Sequence, residues 1–73
     1  MAEFKFEITS SLGVLSESAK GWTKEFNMVS WNERAPKYDL REWDQEHEKM
    51  AKGVTLTKEE VIKLKDILNK LDL

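Results

Sequence analysis

The sequence predicts an α+β fold: strands in hairpin succession form an antiparallel sheet, and one C-terminal helix packs on its face. Three observations lead there. Residues 37–43 alternate between polar and apolar side chains, as a strand with two distinct faces does. Gly21, Asn32 and Pro36 punctuate the stretch before them as turns. From Thr57 onward the apolar residues recur at helical spacing behind a clear start signal.

Taken in order, residues 11–17 carry Leu12, Val14 and Leu15 and read as strand. Ser18, Ala19, Lys20 and Gly21 follow as a turn, with Gly available for positive φ. Residues 22–32 form a long extended run holding Trp22, Phe26, Met28, Val29 and Trp31. Residues 32–36 break it, because Pro36 donates no ladder hydrogen bond and disfavours helix at the preceding residue. In 37–43, Tyr38 and Leu40 lie on one face and Lys37, Asp39, Arg41 and Trp43 on the other. Residues 44–50 are polar and loop-like, and 52–56 read as a short last strand. The helix is predicted over 58–72. Thr57 and Glu60 make a capping box, with Leu56 and Val61 placed as a hydrophobic staple. Val61, Leu64, Ile67, Leu68 and Leu71 span an arc of about 120°. Ile62 and Leu73 fall outside that arc, either as an exposed side chain and a frayed end or as a second apolar contact. The shortage of core favours the second.

The shortage follows from length. A chain of 73 residues has room for a single domain, 1–73, and buries only about 60% of the surface its unfolded form exposes. Domains this small generally need a staple. With no Cys and one His, disulfides and a structural zinc site are excluded, leaving oligomerisation. The absence of Cys fits a reducing compartment. Residues 1–8 alternate polar and apolar and show no apolar run of signal-peptide length. No segment approaches the roughly 20 apolar residues of a membrane span. The expectation is a cytoplasmic protein, nucleoid association included, with no membrane partner.

Net charge is −2, unlike the basic balance of a strong nucleic-acid binder. The middle of the chain, 20–53, carries seven basic and seven acidic residues. A positive surface must therefore come from how strands sort charges between faces. Catalysis has few candidates: His47 sits among acids in a loop and Ser10, Ser11, Ser16 and Ser18 lack an activating partner arrangement. The three glycines stand apart, so no phosphate-cradling loop exists. No enzyme, cofactor, metal or small-molecule substrate is expected. Three Trp, all in predicted strands, are more informative. Non-specific single-strand binders combine cations that track the backbone with aromatic platforms for bases. Arg41 with Trp43, and Trp22 with Lys24, supply both side by side. Trp31, alternating with Val29, suits packing.

The segments Phe6-Glu7-Ile8, Val14, Lys20-Gly21, Tyr38-Asp39-Leu40-Arg41-Glu42-Trp43 and Lys52-Gly53-Val54-Thr55-Leu56, in that order before a helix, resemble the positive cofactor four family. This is the transcriptional coactivator family of single-stranded-DNA-binding domains, and the chain is especially similar to its bacterial YdbC-type members. The likeness spans nearly the whole chain. It implies a four-stranded curved antiparallel sheet, a C-terminal helix, and a homodimer packed through helices and sheet, with Ile62, Leu64, Leu68 and Leu71 in the interface. It implies single-stranded DNA contacts at Lys20, Gly21, Arg41, Trp43 and Lys52, to which Trp22, Lys24 and Lys37 are added as neighbouring aromatic and basic positions. The family's eukaryotic members place an aromatic where this chain has Ala19 and a Lys where it has Trp22, so Trp22 and Lys24 are expected to have taken over stacking and charge. The stretch 22–37 is about ten residues longer than the eukaryotic pattern, implying a protruding hairpin. The acidic, Ser-rich regulatory tail of the eukaryotic coactivators has no counterpart here. The expected function is largely sequence-independent single-strand binding in transcription regulation or DNA maintenance. RNA binding by the same fold, or a protein-interaction module without nucleic-acid affinity, are the alternatives.

Overall fold

The computed structural model describes residues 5–73, so the alternation read at residues 1–4 lies outside the described residues. Four strands, β1 (Phe6–Glu17), β2 (Thr23–Trp31), β3 (Lys37–Trp43) and β4 (Val54–Leu56), precede one helix, α1 (Lys58–Asn69). The sheet is an antiparallel meander in the order β1-β2-β3-β4. The predicted α+β class with a four-stranded sheet and C-terminal helix is the architecture observed.

Each joint follows from local chemistry. Gly21 adopts φ +88°, and its N–H donates to the Ser18 carbonyl at 3.0 Å, closing the β1–β2 turn as its glycine required. Thr57 caps α1: its Oγ1 accepts from the Glu60 N–H at 3.2 Å, and the Glu60 carboxylate accepts from the Thr57 N–H at 2.8 Å. The helix stops at Asn69, three residues short of the expectation. β1 is longer than the 11–17 expected, because Gly13 and three register shifts break its alternation. Such bulges increase twist and bend the strand.

The extra length in 22–37 is spent on sheet. β2 pairs with β1 from Thr23 to Trp31 and with β3 from Thr23 to Val29. The expectation of a protruding hairpin is thereby corrected to a long central strand and a short connection. That connection puts Asn32 at φ 52° and Glu33 at φ 64°, with Arg34 N–H donating to the Trp31 carbonyl. The start of β1 steadies it, since Lys5 N–H donates to Asn32 Oδ1 and Asn32 N–H to the Lys5 carbonyl.

The register sorts side chains onto two faces. One carries Glu25, Asn27, Val29 and Trp31 from β2, with Asp39, Arg41 and Trp43 from β3 and Thr55 from β4. The buried residues lie there: Val29 and Trp43 at 0% exposure, with Glu25, Asn27 and Asp39. The other face carries Phe26, Tyr38 and Leu40, and α1 approaches it over β3 and β4. Phe26 and Tyr38 stack with ring centroids 5.7 Å apart. Between helix and sheet lies an apolar groove of about 500 Å³ lined by Leu15, Phe26, Leu40, Val61, Leu64 and Leu68.

Candidate nucleic-acid interface

Asp39 organises the buried face. It is wholly buried and accepts from Arg41 Nε at 2.6 Å, from Arg41 Nη2 at 2.8 Å and from Thr55 Oγ1 at 3.1 Å. A two-point guanidinium–carboxylate pair is the geometry that favours Arg over Lys. Arg41 Nη1 approaches Met50 Sδ at 3.3 Å and the Ala51 carbonyl at 3.4 Å. Its guanidinium carbon lies 4.6 Å from the centroid of the Trp31 ring. Between the pairs Leu40↔Val54 and Trp43↔Met50, two residues of β3 face three of the returning chain. Gly53 sits in that irregularity. A Cβ there would run into Arg41 Cβ and stand 2.5 Å from the Leu40 carbonyl oxygen, so Gly53 is required by the packing of Arg41.

A second buried carboxylate, Glu25, accepts from Thr23 Oγ1 and from Asn27 Nδ2 at 3.0 Å, and His47 Nε2 lies 2.9 Å from its Oε2. Burial pushes this carboxyl up, but the hydrogen bonds from Thr23, Asn27 and His47, together with the His47 charge, outweigh that and hold it below the usual carboxylate range. His47 comes from the β3–β4 connection with φ 58°, its ring 5.8 Å from that of Trp43. Asp44 anchors the same loop by accepting from the Glu48 and Lys49 N–H groups. The Lys49 N–H is the chief cause of its lowered pKa. The sequence places His47 in a solvated loop. The structure ties it to a strand 22 residues away, a contact no local pattern announces.

The predicted binding residues divide. Lys20, Lys24, Lys37 and Lys52 are exposed. Lys20 Nζ stands 4.5 Å from the centroid of the Trp22 ring, and the Trp22 N–H donates to Ser18 Oγ at 3.2 Å. Lys20, Gly21 and Trp22 thus form one cation–aromatic unit at the β1–β2 turn. Lys24 pairs across from Glu42 on the helix side of the sheet, while Lys37 and Arg41 belong to the other face, so the set does not share one surface. Lys52 precedes Gly53 beside Arg41.

Trp43 needs correction. Its alternation with charged residues pointed to an open platform, yet it is wholly buried. Phe6 covers it from β1, ring centroids 5.2 Å apart, and His47 lies against it from the loop. Alternation sorts the faces correctly but does not say which one the rest of the chain covers. Trp31, read as packing, does pack: it is half-buried between Phe6, 6.1 Å away, and Arg41. Ile62, Leu64, Leu68 and Leu71 are all exposed, and no residue of α1 is buried.

Fold and site together define an open-sheet α+β domain with exposed lysines, one of which, Lys20, is set beside an indole. The family described as Transcriptional Coactivator p15 (PC4) matches residues 18–67, the span from the first turn to the last turns of α1. The chain belongs to this family. A protein of Treponema pallidum (strain Nichols), described only as uncharacterized, is 46% identical over 71 residues, covering 97% of this chain and 84% of its own length.

Proposed function

We propose that the protein is a non-enzymatic homodimer that binds single-stranded DNA largely without sequence preference, in transcription regulation or DNA maintenance in the cytoplasm. Membership of the coactivator family carries the reading, and the Lys20–Trp22 unit supports it locally. A cation at 4.5 Å from an indole is the pairing of phosphate neutralisation and base stacking that single-strand binders use. Lys24, Lys37 and Lys52 add exposed charge, and Arg41 borders Lys52.

The dimer is supported by surface. The chain exposes 5913 Å², against about 4,700 Å² for a compact monomer of its mass. Its radius of gyration of 13.5 Å exceeds the roughly 11 Å expected for this length. The helix presents Ile62, Leu64, Ile67 and Leu68 unburied, and apolar area of this extent marks an association surface.

Titration of labelled oligo-dT, the matching RNA and duplex DNA at two salt concentrations tests the function. Tight oligo-dT binding that weakens steeply with salt is expected, with duplex binding weaker. Absent or salt-insensitive binding to all single strands refutes it. Equal or tighter RNA binding redirects it to RNA. A Trp22→Ala variant that folds and keeps full affinity removes Trp22 from the site.

A further inference from the structure

We infer that Gln45, held over the β1–β2 turn by the β3–β4 loop, is a further contact for single strands and hydrogen-bonds the edge of a base. The inference rests on the single-strand-binding reading above and adds a contact that stacking and phosphate residues do not supply. Gln45 Nε2 stands 3.0 Å, and its Cδ 3.8 Å, from the point that a Cβ on Gly21 would occupy. The amide therefore rests on the glycine between Lys20 and Trp22, whose ammonium and indole centroid are 4.5 Å apart. A side chain at position 21 would push it away.

Gln45 is exposed, yet the loop that carries it is tied at several points. Trp43 bridges to Met50 at its base. Asp44 N–H donates to the Lys49 carbonyl and His47 N–H to the Asp44 carbonyl, both at 3.1 Å, while Asp44 Oδ1 accepts from the Glu48 and Lys49 N–H groups. His47 Nε2 lies 2.9 and 3.1 Å from the two carboxylate oxygens of Glu25. Glu25 also accepts from Thr23 Oγ1, the residue after Trp22. One buried carboxylate thus joins the loop to the start of β2, and His47 acts as a positioning residue for Gln45. A group held in place before binding loses less freedom when it binds.

Charge decides what Gln45 meets. Glu46 and Glu48 are exposed on the same loop and repel phosphates, so the sugar–phosphate backbone keeps to the lysine side and the base turns toward the loop. Single strands leave their base edges open to hydrogen bonds from side chains. The amide offers two N–H donors and a carbonyl acceptor, and among the described residues it has no hydrogen-bond partner. The Watson–Crick edge of every base sets a donor beside an acceptor, and an amide turned either way matches such a pair. The contact therefore adds affinity without choosing a sequence.

The test uses the full chain with Gln45→Ala, with His47→Phe, which keeps a ring against Trp43 but loses the bond to Glu25, and with both together. Each is titrated across a salt series with oligo-dT and with an oligomer of N3-methylthymidine, which stacks but lacks the N3–H donor. Gln45→Ala is expected to weaken oligo-dT binding about fivefold, with an unchanged salt slope and no loss toward the methylated oligomer. His47→Phe is expected to reproduce that loss, and the double variant to lose no more than either alone, as coupled residues do. Should His47→Phe fail to fold by circular dichroism, His47→Leu takes its place with the same expectations. Unchanged oligo-dT affinity in Gln45→Ala, or an equal loss toward the methylated oligomer, overturns the base-edge contact while single-strand binding stands. Losses that add in the double variant overturn the positioning role of His47. Wild-type protein that binds no single strand overturns the underlying reading as well.

Discussion

The two faces of the sheet are finished to different degrees. On one, Glu25, Asn27 and Asp39 are buried at 5%, 1% and 0% exposure, and each makes at least one hydrogen bond to a side chain of the same face. On the other, Leu64, Ile67 and Leu68 remain 37%, 55% and 47% exposed around an apolar groove. Burying charge is costly unless the charge is paired, and the buried carboxylates of Glu25 and Asp39 find their partners within one chain. Apolar surface carries no such demand for geometry and can wait for a second copy. The contrast teaches that one chain pairs its own buried carboxylates while leaving its apolar helix face open.

The comparison breaks most severely at Asp39. Asp39→Ala leaves Arg41 without its carboxylate in a nearly closed site, and a loss of about 3–5 kcal/mol is expected. In so small a domain this amounts to unfolding, read by thermal or urea denaturation. On the opposite face, Leu68→Asp is expected to leave secondary structure intact and raise the dimer dissociation constant by about a hundredfold, roughly 3 kcal/mol. Sedimentation velocity should move from twice the chain mass of 8.6 kDa to that mass, and a wild-type monomer at high concentration would refute the dimer. Gly53→Ala, with an added Cβ 2.5 Å from the Leu40 carbonyl, is expected to cost about 1–3 kcal/mol by overpacking the same Arg41. A smaller effect is expected from acid. The folded-state pKa of Glu25 lies below its ordinary value of 4.5, so its stabilisation is present above about pH 4.5 and is lost as the pH falls through the folded value. Glu25→Gln should therefore flatten the acid limb of the stability profile, at a cost near neutral pH of about 1–2 kcal/mol.

Much of the fold was legible because its signals are local. The capping box at Thr57 and Glu60 involves residues three apart, and the period-two pattern fixed β3 at 37–43. β1 was less so, since its bulges interrupt the alternation that a flat strand would display. The site was legible in composition and only partly in placement. Lys20, Gly21 and Trp22 are adjacent in sequence and remain together in space. Whether Trp43 or Trp31 is covered depends on Phe6, 25 or more residues upstream of both, and on His47 bonding back to Glu25. Those contacts are set by the curl of the sheet, which periodicity does not encode. The glycine of Lys52-Gly53 was visible as a motif, but its reason, the space beside Arg41, appears only in three dimensions.

The most direct test of the account is the salt dependence of oligo-dT binding for wild type and for a Lys20→Ala, Lys24→Ala, Lys52→Ala triple variant. Phosphate contacts by these exposed lysines predict a steep wild-type slope, reduced by about 2 in the variant at roughly 0.7 per lost contact. A variant with the wild-type slope and affinity would contradict the assignment of Lys20, Lys24 and Lys52 as phosphate contacts.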